Sequence, residues 1–357
     1  MQLGADHVRV RVPATSANLG PGFDALGLAL AIHDEVEVRL LASEDVVVEV
    51  DGEGAGEVPT DASHLVARAV RVGLDAVGAP VTGLHLVCRN VIPHGRGLGS
   101  SAAAAVAGLV AARGLVADPS VLDDATVLAL ATELEGHPDN AAPAILGGAT
   151  VAWTPDARPG SAADDDGPAP ARAVRLEVHP DIVATVVIPT TRLATSHARG
   201  VLPTHVPHAD AAANAGRAAL LVEALTHRPD LLFDATHDLL HQRYRADVMP
   251  GTWRLVDALR RQGLAAVVSG AGPTALVLTT PPATSELDAA LESEVDLRRW
   301  RVERPAIAPE GKRGAALTSG VGPCPAACRV AGDGKIGTTP VLDWRRSLAH
   351  DAITRCV

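Results

Sequence analysis

The sequence predicts an α+β sandwich in two domains, and three observations carry that reading. Of its 357 residues, 47% are hydrophobic and 20% charged, enough apolar material to bury a core and too much for wholesale disorder. Strand-like and helix-like runs succeed one another without internal self-similarity, so a repeat array is excluded. The length exceeds that of one ordinary domain and favours two.

Residues 8–12, 35–40 and 45–50 carry β-branched side chains, the latter two alternating with charge, and read as half-buried strands. A Gly/Pro/Asn loop spans 13–27. Ser63 can cap a helix to about residue 77, with Leu65, Val66, Ala69, Val70 and Leu74 on one face and a Gly-Ala-Pro stop after it. A strand over 83–90 leads into a glycine loop at 93–101 and an Ala-rich helix over 102–113, with Arg113 in its last turn and Gly114 beyond. Another helix is predicted over 121–135 and a strand over 147–153. Residues 154–172, with Asp164, Asp165 and Asp166, lack periodicity and read as a solvated linker. Beyond it come an apolar strand region (173–189), helices over 209–226, 230–244 and 252–262, strands over 264–269 and 274–279, a helix over 285–294 and an edge strand over 297–303. The pattern dissolves from Gly311, leaving 311–357 as an unassigned tail.

Composition narrows the partners. With 31 basic against 42 acidic residues the net charge is −11, which disfavours duplex nucleic acid, and 2% aromatic content leaves few platforms for stacking bases. The first seven residues do not read as a leader, and the longest apolar run, 102–112, is too short for a bilayer, so a cytoplasmic protein without a membrane partner is expected. Four cysteines, at 88, 324, 328 and 356, are too few and too uneven for a disulfide framework, and Cys324 with Cys328 lacks the nearby His of a zinc site.

Four loops carry the chemistry. Gly-Leu-Gly-Ser-Ser at 97–101 opens a helix, where free amides and the helix dipole favour a phosphate tail. It lacks the Lys of a Walker loop, so neutralisation requires a divalent cation and further positive charge. The 13–27 loop sets Asn18 and Asp24 among glycines and prolines. Glu-Leu-Glu-Gly-His-Pro-Asp-Asn at 133–140 gathers carboxylates, an imidazole and an amide at a helix end, fit for Mg²⁺ and a polar ligand. Ser-Gly-Ala-Gly-Pro-Thr at 269–274 joins two apolar strands. Taken singly, each is also what a capped helix start, a turn, a solvated helix end or a tight hairpin would look like.

Their order and wording resemble the GHMP kinase superfamily and, within it, the homoserine kinase branch, over roughly residues 8 to 305. The resemblance implies an N-terminal ribosomal-S5-like ATP-binding domain (1–172), a C-terminal ferredoxin-like domain (173–310), and transfer of a phosphoryl group from ATP to the hydroxyl of L-homoserine on the route to threonine. It implies ATP and Mg²⁺ as cofactors and two small-molecule ligands; a homodimer is the assembly considered. Pro93, Arg96, Gly97, Leu98, Gly99, Ser100, Ser101, Gly270 and Gly272 would bind the nucleotide, with Ser101 and Glu133 on the metal and Glu135 as competitor. Asn18, Asp24, His137 and Asp139 would grip homoserine, Asp24 its ammonium, with Arg199 and Arg245 on its carboxylate. Asn140 stands where related kinases have an Asp base, so no strong base is expected.

His64 departs from the Asn that relatives often carry before Leu-Val, at the adenine contact, and the tail departs from the family's end. Two other readings stay open: a mevalonate-type or other small-alcohol kinase, against which Arg199, Arg245 and Asp24 argue by matching a zwitterion, and a sensor that binds ATP without turnover.

Overall fold

The computed structural model describes residues 1–80, 83–156 and 169–316, all within one compact unit, Met1–Thr318. The acidic run at 164–166 and the tail with Cys324, Cys328, Trp344 and Cys356 lie outside the described residues.

The chain begins with a long antiparallel pair, β1 (His7–Ala17) and β2 (Leu26–Leu41). β3 (Val46–Gly52), α1 (Leu65–Ala76) and β4 (Gly83–Asn90) form a strand–helix–strand crossover, whose strands pair in parallel. Then come α2 (Ser100–Leu115), α3 (Asp124–Glu135), α4 (Ala141–Leu146), β5 (Ala149–Trp153) and β6 (Arg172–Leu176). The second half runs β7 (Val183–Pro189), α5 (Thr195–Gly200), α6 (His208–Thr226), α7 (Leu232–Ala235), α8 (Pro250–Arg261), β8 (Ala265–Val268), β9 (Ala275–Thr279), α9 (Thr284–Glu294), β10 (Trp300–Glu303) and β11 (Arg313–Ala316).

Two sheets result. The larger has the order β11-β1-β2-β4-β3, with β5 on the start of β2 and β6 on β5; the smaller has the order β10-β7-β9-β8. The smaller is a β-α-β-β-α-β arrangement with its strands ordered 4-1-3-2, the ferredoxin-like pattern. Its strands are apolar on both faces because both are covered. Val186, Val267 and Leu276 join one core that continues under the larger sheet, while Val187, Val268 and Val277 join a second core beneath α8 and α9. The two halves therefore share an apolar interior.

α2 is buried almost all round, as a helix apolar on every side must be. It packs on α1 through small residues: a Cβ on Gly108 would lie 2.5 Å from the Val66 carbonyl oxygen and 2.6 Å from the Ala69 Cβ.

Several sequence expectations need correction. The 13–27 loop is strand at both ends, because a register shift at Pro13 absorbs the residue that cannot donate. His64, not Ser63, caps α1; its Nδ1 accepts from the Val66 amide, while the Ser63 hydroxyl donates to Asp61. The 173–189 run splits between the two sheets, and residues 313–316 of the expected tail return to pair with β1. Most of the helix expected over 230–244 is absent. Thr236 turns its hydroxyl back to the Leu232 carbonyl, and the Asp238 carboxylate takes the amides of Leu240, His241 and Gln242, offering the backbone another partner.

Asp34 on β2 fixes the start of the 93–101 loop: its Oδ1 accepts from the amides of Val91 (2.6 Å) and Ile92 (2.8 Å). It is a buried carboxylate, and burial raises its pKa from 3.8 to about 6. The folded chain then binds this proton more tightly than the unfolded chain, so stability falls as pH rises between about 4 and 6.

Two stability outcomes follow from this packing. Gly108→Ala should lower stability to urea by about 1–2 kcal/mol, because overpacking exceeds the gain of about 1 kcal/mol in helix propensity; an unchanged or raised midpoint would contradict the close approach. Asp34→Asn should match the parent near pH 4 and exceed it at pH 8 by up to about 3 kcal/mol, read from urea midpoints across that range.

Candidate active site

The 93–101 loop reaches α2 through Gly97 and Gly99, both left-handed, and no side chain caps the helix's first turn. Amides at the start of this 16-residue helix are thus free for an anion. A cavity of about 380 Å³ lies in front of them, lined by Ser100, Ser101, Glu135, Asn140, Arg199 and Arg245 among others. The four motifs converge here, since Asn18, His137, Asp139, Gly270 and Ala271 line the same space.

Pairing across the loops is dense. Thr15 donates its hydroxyl to the Asn140 Oδ1 (2.8 Å), and the Asn140 Nδ2 donates to the Asp139 carboxylate (3.2 Å). Asp139 also bonds the His137 Nδ1 at 2.8 Å, which raises the imidazole's pKa. Because Asp139 can only accept when ionised, Asn140 must turn its nitrogen toward it, leaving one N–H over. Thr15, fully buried, is a site residue that sequence reasoning missed; its polarity in a buried strand position was the available signal.

The two carboxylates at the end of α3 are placed differently. Ser101 donates its hydroxyl to the Glu135 Oε2 at 2.6 Å, whereas Glu133 is exposed and does not line the cavity. Two residues along a helix are about 200° round its axis, so only one of these carboxylates can face Ser101. Burial holds the Glu135 carboxyl above its ordinary range. Among the described residues no three His, Cys, Asp or Glu side chains gather as a metal centre.

The predicted substrate groups are present but differently partnered. Asn18, buried and left-handed, ties its Nδ2 to the Gly270 carbonyl and accepts the Asp24 amide. Asp24 and Arg199 form a bidentate pair at 2.6 and 3.1 Å. Arg245 is 1% exposed. It donates to the carbonyls of Ala198 and Gly270, meets the His241 Nδ1 at 3.0 Å, and has no carboxylate partner among the described residues. Burial and the neighbouring Arg199 lower its pKa to about 10, so it stays charged at neutral pH. Phe23 holds the group together, with both guanidiniums 5.5 Å from its ring centre and His241 stacked at 5.1 Å.

Other residues expected at the nucleotide do not line this cavity. Arg96 donates to the carbonyls of Pro189 and Thr190 and to Glu53, and the side chains of Pro93 and Leu98 are buried. Gly272 abuts Met249 rather than the cavity, which Gly270 lines.

A second cavity, about 290 Å³, adjoins the first through Ser100 and Ser101 and runs between β2, α1 and α2. Val36, Pro59, Leu65 and Ala104 make it largely apolar, and His64 and His94, both with pKa lowered chiefly by burial, stand in its wall.

Comparison with known proteins fits this geometry. Residues 64–148 match the family model for the GHMP kinases N terminal domain, and residues 217–294 match that for GHMP kinases C terminal. The chain is 54% identical to the homoserine kinase of Streptomyces avermitilis over 76% of its own length and 85% of that protein's. It is 50% identical to that of Streptomyces coelicolor over 85% and 93%. The crystal structure of homoserine kinase from Cytophaga hutchinsonii superposes with a TM-score of 0.71 at 26% identity, over 87% of this chain and 98% of that one. The chain therefore belongs to the GHMP kinase superfamily, within its homoserine kinase family.

Proposed function

We propose that this chain transfers the γ-phosphoryl group of ATP to the hydroxyl of L-homoserine, giving ADP and O-phospho-L-homoserine. The observation that carries the reading is Arg245, a buried guanidinium without a carboxylate partner among the described residues, in the cavity that begins at the free amides of α2. A buried cation in that state calls for an anionic ligand, and its planar fork suits a carboxylate. The Asp24–Arg199 pair beside it can open around a zwitterion, Asp24 taking the ammonium and Arg199 joining Arg245 on the carboxylate. A mevalonate-type alcohol has no ammonium to occupy Asp24.

In this reading the triphosphate lies along Gly97, Gly99, Ser100 and Ser101, with the nucleoside in the adjoining apolar cavity. Ser101 and Glu135 offer the hard oxygen donors that suit Mg²⁺, which when bound would neutralise phosphate charge. The substrate hydroxyl attacks the γ-phosphorus as the bond to the β-γ bridging oxygen breaks, and its proton passes to a phosphoryl oxygen or water. Asn140, held by Thr15 and Asp139, supplies a donor rather than a base. A loose phosphoryl transition state tolerates that, because alignment and charge stabilisation carry most of the rate. The raised pKa of His137, set by Asp139, favours a charged imidazole beside the substrate.

An ADP-release assay should show turnover with L-homoserine and none with mevalonate; the reverse preference would sink this reading. Arg245→Lys keeps the charge but loses the fork, and should raise the KM for homoserine by about 10-fold or more while leaving that for ATP within about twofold. Glu135→Gln should raise the Mg²⁺ concentration for half-maximal rate by about 10-fold or more, whereas Glu133→Gln should leave it unchanged.

A further inference from the structure

Among the described residues, the apolar cavity beside Ser100 and Ser101 is lined by one carboxylate and by no Lys or Arg. That carboxylate is Asp34, 6% exposed. Its Oδ1 is saturated by the Val91 and Ile92 amides, while its Oδ2 takes no hydrogen bond among the described residues. Among the described residues, no cation pairs with it. His64 spends its Nδ1 accepting the Val66 amide, and burial keeps both His64 and His94 uncharged at neutral pH. Cys88 is buried beneath, its thiol pushed up to about 12 by burial and by Asp34 itself.

A purely structural role does not account for the carboxylate. An Asn would anchor the same two amides through its Oδ1 with no buried charge, and burial makes the charged form costly here. An ionised oxygen left free in an apolar slot seeks a hydrogen-bond donor. Once the cavity is read as the nucleoside site, the donor at hand is an amino group on the base.

We propose that Asp34 is the nucleobase-reading residue of this enzyme: its Oδ2 accepts an N–H of the 6-amino group of adenine and selects 6-aminopurine over 6-oxopurine nucleotides. The inference rests on the proposed ATP reading of the cavity. Hypoxanthine would present a carbonyl oxygen to the carboxylate, setting acceptor against acceptor, and a site built for a donor discriminates strongly against an analogue lacking it. Asn, with its Oδ1 kept on the Val91 and Ile92 amides, would turn its Nδ2 donor toward the base and so favour a 6-oxo group over a 6-amino group. His64, in the same wall, has only its Nε2 left for a ligand and does not substitute for this acceptor.

The test compares ATP with ITP at saturating L-homoserine, in the parent and in Asp34→Asn. The parent should favour ATP in kcat/KM by about 10-fold or more, the value of one hydrogen bond to a buried charge. Asp34→Asn should abolish or invert that preference, with the KM for homoserine unchanged. A merely structural Asp34 would lower both nucleotides together and leave the ratio alone, which would overturn the proposal, as would a parent indifferent to the base. If Asp34→Asn fails to fold, calorimetric binding of ADP and IDP to the parent decides: tighter ADP binding sustains the proposal and equal affinity refutes it. Absence of ADP release from ATP with homoserine, alongside a clear ADP preference in binding, would sink the kinase reading and leave this one standing.

Discussion

Two glycines of a single turn have no room for a side chain, and the site is organised around that constraint. A Cβ on Gly97 would lie 2.3 Å from the Ser269 carbonyl oxygen, and one on Gly99 would lie 2.0 Å from the Thr15 hydroxyl. The strand that opens the first motif, the hairpin of the fourth and the helix start of the second thus meet at near-backbone separation. Positive φ at both glycines then swings the chain into α2 with its first amides facing the cavity. A side chain at either position would push apart the surfaces that form the cavity, before any question of ligand contact.

Charge in the cleft follows from the same crowding. Asn18 and Arg245 both reach the Gly270 carbonyl, so the first motif and the segment carrying Arg245 are fastened to one point of the hairpin. Among the described residues Arg245 is held by neutral acceptors, while Arg199 is neutralised by Asp24. The resting cleft thereby keeps one buried cation in reserve beside one ion pair, an arrangement with capacity for a ligand that brings both signs. Phe23 holds both guanidiniums against its ring despite their mutual repulsion. The neighbouring cavity differs, with one carboxylate, Asp34, in largely apolar walls among the described residues. Two adjoining pockets with such different electrostatics are suited to two unlike substrates.

Local patterning and tertiary context contributed in different places. Strands over 83–90 and 274–279 and helices over 209–226 and 285–294 were legible because their apolar period or run length is long and their ends carry glycine or proline. The segment over 230–244 misled because its apolar spacing is helical, while Asp238 and Thr236 bind backbone groups that a helix would need. The division of 173–189 between two sheets is invisible to periodicity, since both halves are apolar and the break depends on which partner strand each finds.

Sequence by itself determined the identity of the four loops and the residue types they bring, because glycine, proline and short polar side chains restrict backbone shape locally. It could not determine who pairs with whom. That Glu135 rather than Glu133 meets Ser101, and that Asp24 already holds Arg199, depend on side chains 34 and 175 positions apart, and that Arg245 has no carboxylate partner among the described residues depends on the same packing. So does the free oxygen of Asp34, whose partner amides come from another strand's end. Such contacts are set by how two sheets share one apolar core, and their energetics depend on burial, which only the folded chain defines.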